Sequence, residues 1–295
     1  MEKKKIFALG FFDGVHLGHQ KILAECCDLA KKTDATPCAI TFLRHPQTLF
    51  TDTPPKLINT YDDRELLLRK FGIGAVYAYP VTREVMGMPW EAFLEELMGY
   101  DAVGFVCGRD FRFGNRGEGN VQRLQTFCKE RNLAVSVVDD QNLDGIRVSS
   151  THIRGLLEAG DVEQAEKFLG HPHILSGPVV PGRQLGRTIG IPTANLTIPD
   201  GVLIPKRGVY ATRVTVDGKT YPAVTNIGTR PTVAGDSVTV ESYLLDFSGD
   251  LYGKEIAVAF HKFLRPEQKF PSLEDLQQEI RKNIDQTRNF FKKSE

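Results

Sequence analysis

The stretch Gly10-Phe11-Phe12-Asp13-Gly14-Val15-His16-Leu17-Gly18-His19 decides how the first half of the chain folds. An apolar run over residues 6–12 leads into it, and a helical pattern over residues 19–32 leads out. The run is far shorter than the roughly 20 apolar residues that span a bilayer. Asp13 ends it without a small-residue cleavage site, so the basic start Met1-Glu2-Lys3-Lys4-Lys5 precedes a buried strand rather than a secretory signal. A strand that turns through glycines into a helix sets His16 and His19 on one face of the helix N-terminus. There, unpaired backbone N–H groups and the macrodipole favour an anion. The place also lies at the C-terminal end of a parallel strand, where open α/β sheets bind ligands. Each imidazole adds a donor for a triphosphate, and Gly18 leaves room for a flat base to approach the backbone. Taken alone, H-x-x-H reads more readily as a helix cap bearing two surface histidines. Zinc would want histidines four apart and a third ligand, which the sequence does not locate.

Further strand-like runs cover residues 37–42, 75–79, 103–107 and 133–138, and helical patterns between them cover 62–71, 89–98 and 121–130. The alternation predicts a doubly wound parallel sheet with right-handed crossovers and helices on both faces. Two more helices are expected near 151–159 and 161–169. Residues 171–178, His-Pro-His-Ile-Leu-Ser-Gly-Pro, read as a linker, dividing the chain into domains 1–170 and 171–295. Two domains suit a chain of 295 residues.

Beyond the linker the chain breaks into short strands punctuated by Gly and Pro. Asp217-Gly218 is a two-residue hairpin signal between residues 210–216 and 219–224, and strand patterns recur over 238–247 and 255–263. An antiparallel β-barrel is the expected outcome. A capping box at Ser272 and Asp275 opens a final amphipathic helix with a stripe of Leu273, Leu276, Ile280 and Ile284.

With 37 basic and 37 acidic residues there is no global field to recruit nucleic acid or an anionic membrane, so neither is an expected partner. Phosphate recognition must be local. Five cysteines (26, 27, 38, 107, 128) form no C-x-x-C pair and are odd in number, which suits a reducing, cytoplasmic setting.

The ten-residue stretch from Gly10 resembles the H-x-G-H signature of the nucleotidyltransferase superfamily, in the form found in bacterial FAD synthetases. Gly108-Arg109-Asp110-Phe111-Arg112-Phe113-Gly114 and Ser149-Ser150-Thr151-His152-Ile153-Arg154 resemble that family's D-F-R-F-G and S-S-T-x-I-R elements. Alone, the first is an ordered turn and the second a helix N-cap. The resemblance implies FMN adenylyltransferase activity, with His16 and His19 catalytic. It implies ATP or phosphate contacts from Gly10, Phe12, Asp13, Gly14, Gly18, Arg109, Asp110, Arg112, Ser150, Thr151 and Arg154. One loop departs: the family reads T-F-x-P-H-P where this chain has Thr41-Phe42-Leu43-Arg44-His45-Pro46.

The segment from Gly186 to Leu196, with Pro192-Thr193-Ala194-Asn195, resembles the P-T-A-N signature of riboflavin kinases. The likeness continues through Gly208-Val209-Tyr210, the run from Asn226 to Thr232, Glu241, Leu251-Tyr252-Gly253 and Arg265-Pro266-Glu267. It implies ATP contacts from Gly186, Arg187, Gly190, Pro192, Thr193 and Asn195, and flavin contacts from Arg230 and Arg265. Thr193 and Asn195 offer the hard oxygen donors that Mg²⁺ prefers, so the metal is expected to arrive with ATP and no structural metal is expected. Glu241 is the strand carboxylate able to take the proton of the riboflavin 5′-hydroxyl. Without the surrounding likeness, Glu241 is a solvent-facing strand residue, and Thr193 and Asn195 are turn chemistry after Pro192. Riboflavin, ATP, FMN, FAD and pyrophosphate are the expected partners, and a homo-oligomer is compatible with the sequence. A different nucleotidyltransferase would leave the second half unexplained, and a flavin-sensing or RNA-binding module without catalysis would lack His19 or Glu241. An aminoacyl-tRNA synthetase relative would want a basic anticodon-binding surface.

Overall fold

Strand β1 (Lys5–Leu9) shows why the first apolar run has no polar face. Ile6 and Ala8 pack against Ile22, Leu23, Cys26 and Ala30 of helix α1 (Leu17–Lys32). Phe7 and Leu9 point the other way, into a second core with Leu94 and Leu97 of α4 (Trp90–Met98) and Leu124 and Phe127 of α5 (Val121–Glu130). A strand covered on both faces must be apolar at every position, the usual mark of a parallel sheet. The computed structural model of the chain describes residues 4–182, 190–232 and 235–293.

Around β1 stand β2 (Thr36–Phe42) and β4 (Ala102–Gly108), flanked by β3 (Ala75–Tyr79) and β5 (Ala134–Val138), in the order β3-β2-β1-β4-β5 with every pairing parallel. The chain winds outward from β1 to β3 and then returns to the far side of β1. The switch point therefore lies between β1 and β4, at the strand end that carries the Gly10–His19 segment. Helix α2 (Tyr61–Lys70) and the single turn α3 (Arg83–Met86) precede and follow β3, and a small ribbon of β6 (Asn142–Leu143) and β7 (Ile146–Arg147) closes this part.

The chain divides into two compact units, Met1–Ser150 and Thr151–Glu295. In the second, α6 (Ser150–Ala159) and α7 (Val162–Leu169) accompany a closed barrel ordered β10-β11-β12-β9-β8-β13. Its strands are β8 (His173–Val180), β9 (Ala194–Leu196), β10 (Gly208–Val216), β11 (Lys219–Thr232), β12 (Gly235–Leu244) and β13 (Glu255–Arg265). A terminal helix α8 (Leu273–Lys292) starts at the capping box, where the Ser272 hydroxyl accepts from the Asp275 N–H at 3.1 Å.

One expectation differs from what is observed. Residues 171–178 are not a linker: most of them form β8, paired along β13 from Phe260↔His173 to Glu255↔Pro178. Gly177 and Pro178 disguised the strand, but Gly177 takes an inward position and Pro178 an exposed one, which a barrel strand accepts. The first compact unit ends at residue 150, so α6 and α7 group with the barrel. Helix α7 buries Ala165, Phe168 and Leu169, packs on β8 and β13, and brings Glu166 to 3.4 Å from His261 of β13. The Asp217-Gly218 hairpin is as expected. Both residues take positive φ (49° and 74°), the conformation a two-residue turn between twisted strands demands.

Candidate active sites

In the first unit the loop after β1 is tightly wound. Phe12 and Val15 hold positive φ (58° and 40°), which for non-glycine residues is a strained backbone of the kind found at ligand sites. Gly14, at φ 81°, takes the turn that a side chain would resist. Packing pins the loop from below. Phe12 is wholly buried, its ring lies against the Gly10 backbone, and its edge meets the His19 ring at 5.3 Å. Polar ties add to this: Thr41 donates to the Phe11 carbonyl at 2.7 Å, Ser150 donates to the Asp13 carbonyl at 2.9 Å, and the Ile58 N–H donates to the Asp13 carboxylate at 2.9 Å.

The two histidines stack with ring centroids 3.6 Å apart and planes 13° from parallel. His16 is the N-cap of α1, its Nδ1 accepting from the His19 N–H at 3.3 Å. With Nδ1 an acceptor, Nε2 carries the ring proton of the neutral imidazole and is the donor that can face a ligand. The ring is thus an N-cap, and that role leaves the ligand reading compatible with it. His19 Nδ1 is buried and has no partner among the described residues. Burial, then His16, then Arg64 hold the His19 ring well below the usual imidazole range, so it is neutral at pH 7. Gly18 sits against the His16 ring, where an added methyl would lie 3.3 Å from it.

Other expected residues of this site are placed differently from one another. Arg109 pairs with Asp139 at 2.7 Å and Asp110 with Arg147 at 2.5 Å, all four exposed, and Arg147 also reaches Asp140 at 3.0 Å. Asp110 therefore orders the loop beyond β4 as an ion-pair partner. Arg112 is exposed on the same loop, whose ring Phe113 is buried against Trp90 and Phe93. Asp13 is 1% exposed and serves as an acceptor inside the loop, so it braces the turn instead of offering a donor to phosphate. Thr151 and Arg154 stand in the first turns of α6, which groups with the barrel.

In the barrel, strand register assembles the second site. Glu241 of β12 lies opposite Asn195 of β9 on one side and Asn226 of β11 on the other, so the three side chains share one face. Thr193, just ahead of β9, donates its hydroxyl to the Glu241 carboxylate at 3.3 Å. Gly182 approaches the Asn195 amide so closely that a methyl there would fall 2.3 Å from Nδ2. Pro192, Thr193 and Tyr252 help line a cavity of about 180 Å³ beside this group. Gly190 is described with φ 74° and open space around it. Gly186 and Arg187 lie outside the described residues, as does the side chain of Arg230. Arg265 is directed at α8: its Nε reaches Asn283 at 3.1 Å and Glu279 at 3.4 Å.

Asn226, Gly182, Arg147 and Arg64 were not singled out from the sequence. The first stood inside a quoted motif, and strand pairing was the signal that would have joined it to Glu241. The other three depend on contacts across the fold. Among the described residues no cluster of three or more His, Cys, Asp or Glu side chains is placed to hold a metal ion. Thr193 and Glu241 bring oxygen atoms within 3.3 Å and Asn195 lies opposite Glu241, a set of hard oxygen donors that fits a divalent cation. All five cysteines are free, and burial raises the thiols of Cys26 and Cys107 to about 12, so neither is reactive at neutral pH.

Residues 1–152 match the FAD synthetase family model and residues 169–291 the riboflavin kinase family model. A bifunctional riboflavin kinase/FMN adenylyltransferase from Listeria monocytogenes is 35% identical over 99% of this chain and 94% of its own length. One of the same name from Escherichia coli K12 is 37% identical over 97% of this chain and 92% of its own. A crystal structure described as a macrolide-efflux protein from Streptococcus pneumoniae superposes with a TM-score of 0.88 at 28% identity, covering 98% of this chain and 95% of that one. That description is of the other protein; here no described helix is long and apolar enough to cross a membrane.

Proposed function

The chain belongs to the bifunctional riboflavin kinase/FMN adenylyltransferase family, a kinase and nucleotidyltransferase of flavin synthesis, and we propose which of its residues perform each reaction. In the first unit, His16 and His19 with the amides of the α1 N-terminus hold the triphosphate of ATP. The FMN phosphate, already ionised, attacks the α-phosphorus and pyrophosphate departs. No protein nucleophile is needed, so the protein aligns the groups and stabilises charge on the leaving pyrophosphate. The neutral His19 imidazole suits that task as a hydrogen-bond donor. Gly10 and Gly14 shape the loop, Phe12 and Asp13 brace it, and Arg109, Arg112 and Ser150 add local polar support.

In the barrel, Glu241 takes the proton of the riboflavin 5′-hydroxyl as that hydroxyl oxygen attacks the γ-phosphorus of ATP and ADP departs. Thr193 and Asn195 would hold Mg²⁺ arriving with ATP, and the ion would supply charge neutralisation. We assign Arg265 to tethering α8 rather than to the flavin. The reading further places the enzyme in the cytoplasm and its catalytic halves at 1–170 and 171–295. The observation that carries it is the 3.3 Å approach of Thr193 to Glu241, which couples the expected phosphate ligand to the expected base. Glu241→Gln tests it: the amide keeps the shape but cannot take the proton, so riboflavin phosphorylation falls by about 10²–10⁴. Conversion of supplied FMN to FAD continues at the wild-type rate. Near-normal phosphorylation in this variant would remove Glu241 from the base role.

A further inference from the structure

Arg64 heads the wholly buried side chains among the described residues by size, and no reaction step above uses it. It projects from α2, its Nη2 donates to the Phe42 carbonyl at the end of β2, and its Nε and Nη1 have no partner among the described residues. The guanidinium carbon lies 4.6 Å from the Phe11 ring centroid and 5.8 Å from that of Tyr61. Phe11 belongs to the loop that carries His16 and His19. Burial lowers the Arg64 pKa, while Asp13 and Tyr61 raise it, and a guanidinium in a protein remains charged.

A buried cation with open donors is costly, and an apolar side chain of the same volume usually stabilises a fold better. Stacking on Phe11 alone would be served by Met. The charge is therefore the feature in need of a role, and the ligands of this site are polyanions. We propose that Arg64 is a positioning residue for adenylyl transfer: it clamps the Phe11–Asp13 turn to the end of β2, and its fixed positive charge favours the negative charge that gathers beside His19. The proposal rests on the adenylyltransferase reading of this site. Three separate observations support it: the burial, the open donors and the contact with the motif loop. After burial and His16, the Arg64 charge also contributes to lowering the His19 pKa.

The test compares Arg64→Met and Arg64→Lys in the full-length enzyme, measuring kcat and KM for FMN and ATP, with riboflavin phosphorylation by the same samples as an internal reference. Arg64 touches no solvent and contributes little to ground-state contacts, so the effect falls on kcat. The Met variant is expected to lose about 10–100-fold in kcat for FAD formation, within the range for loss of one preorganised charge interaction. Both KM values should stay within about threefold, and kinase activity should be unchanged. The Lys variant, which keeps the charge, should recover at least about fivefold over Met. A Met variant within twofold of wild type overturns the proposal. So does a Lys variant as slow as Met, since packing alone would then explain the loss. Should Arg64→Met fail to fold, Arg64→Gln takes its place, keeping a donor for the Phe42 carbonyl without the charge; Lys faster than Gln supports the role and equality overturns it. Wild-type enzyme that makes no FAD from FMN would overturn the reading of the site itself, before any variant is compared.

Discussion

Gly182→Ala isolates the link between backbone packing and phosphoryl transfer. The added methyl carbon would stand 2.3 Å from Asn195 Nδ2, 2.7 Å from Cγ and 2.8 Å from Oδ1. Carbon and its neighbours rest at about 3.5–4.0 Å, so the amide must retreat by roughly 1 Å. Its retreat is cheap for the fold, because the clash is with the end of a side chain and not with the barrel backbone. It is expensive for the site, because Asn195 faces Glu241 across the β9–β12 pairing. A displacement of about 1 Å in a positioning group costs on the order of 10²-fold in rate, or about 2.7 kcal/mol. The assay is steady-state riboflavin phosphorylation, with FMN adenylylation and the thermal midpoint followed in parallel. We expect kcat/KM for riboflavin phosphorylation to fall about 100-fold while FMN adenylylation is unaffected. In an Asn195→Ala background the same substitution should cost almost nothing more, because the group it displaces is gone. Full kinase activity in Gly182→Ala, or an undiminished loss in the Asn195→Ala background, would refute the reasoning.

Other outcomes follow from the same geometry. His19→Ala removes one donor to the phosphates and should slow FAD formation by about 10²–10³-fold, leaving riboflavin phosphorylation intact; fed riboflavin, the variant accumulates FMN. Equal loss of both activities would mean that the sites are not independent. His173, wholly buried in the barrel with both ring nitrogens lacking partners among the described residues, has its pKa pushed down to about 3, by burial first and then by His171. The unfolded chain takes up that proton near pH 6.5, so the stabilisation is complete above this value and is lost as pH falls from 6.5 towards 3. His173→Phe should therefore shift the acid-unfolding midpoint, followed by circular dichroism, to lower pH. An unchanged midpoint would contradict the burial argument.

The sheet and the motif loop were legible because their signals are local. The β1 run, the glycine turn and His16 and His19 lie within fifteen residues, and Asp217-Gly218 announces its own hairpin. Strand β8 was missed for the same reason in reverse: Gly177-Pro178 is a local breaker signal, and only closure against β13 makes the segment a strand. Arg64 was invisible because Tyr-Asp-Asp-Arg-Glu at the head of α2 reads as a solvated face. Its burial comes from Phe11, fifty-three positions earlier in the chain. Asp13 shows a subtler limit. The resemblance put it among the phosphate contacts of the loop after β1; it lies in that loop, but its carboxylate turns inward to the Ile58 amide.

The central claim is that one chain carries two ATP-dependent chemistries on separate residue sets. The most direct measurement supplies purified enzyme with riboflavin, ATP and Mg²⁺ and resolves flavins and nucleotides over time by chromatography. The account predicts that FMN appears first with one ADP per FMN, and that FAD follows with one pyrophosphate per FAD. Riboflavin left unconsumed, or FMN that accumulates without FAD, would contradict it.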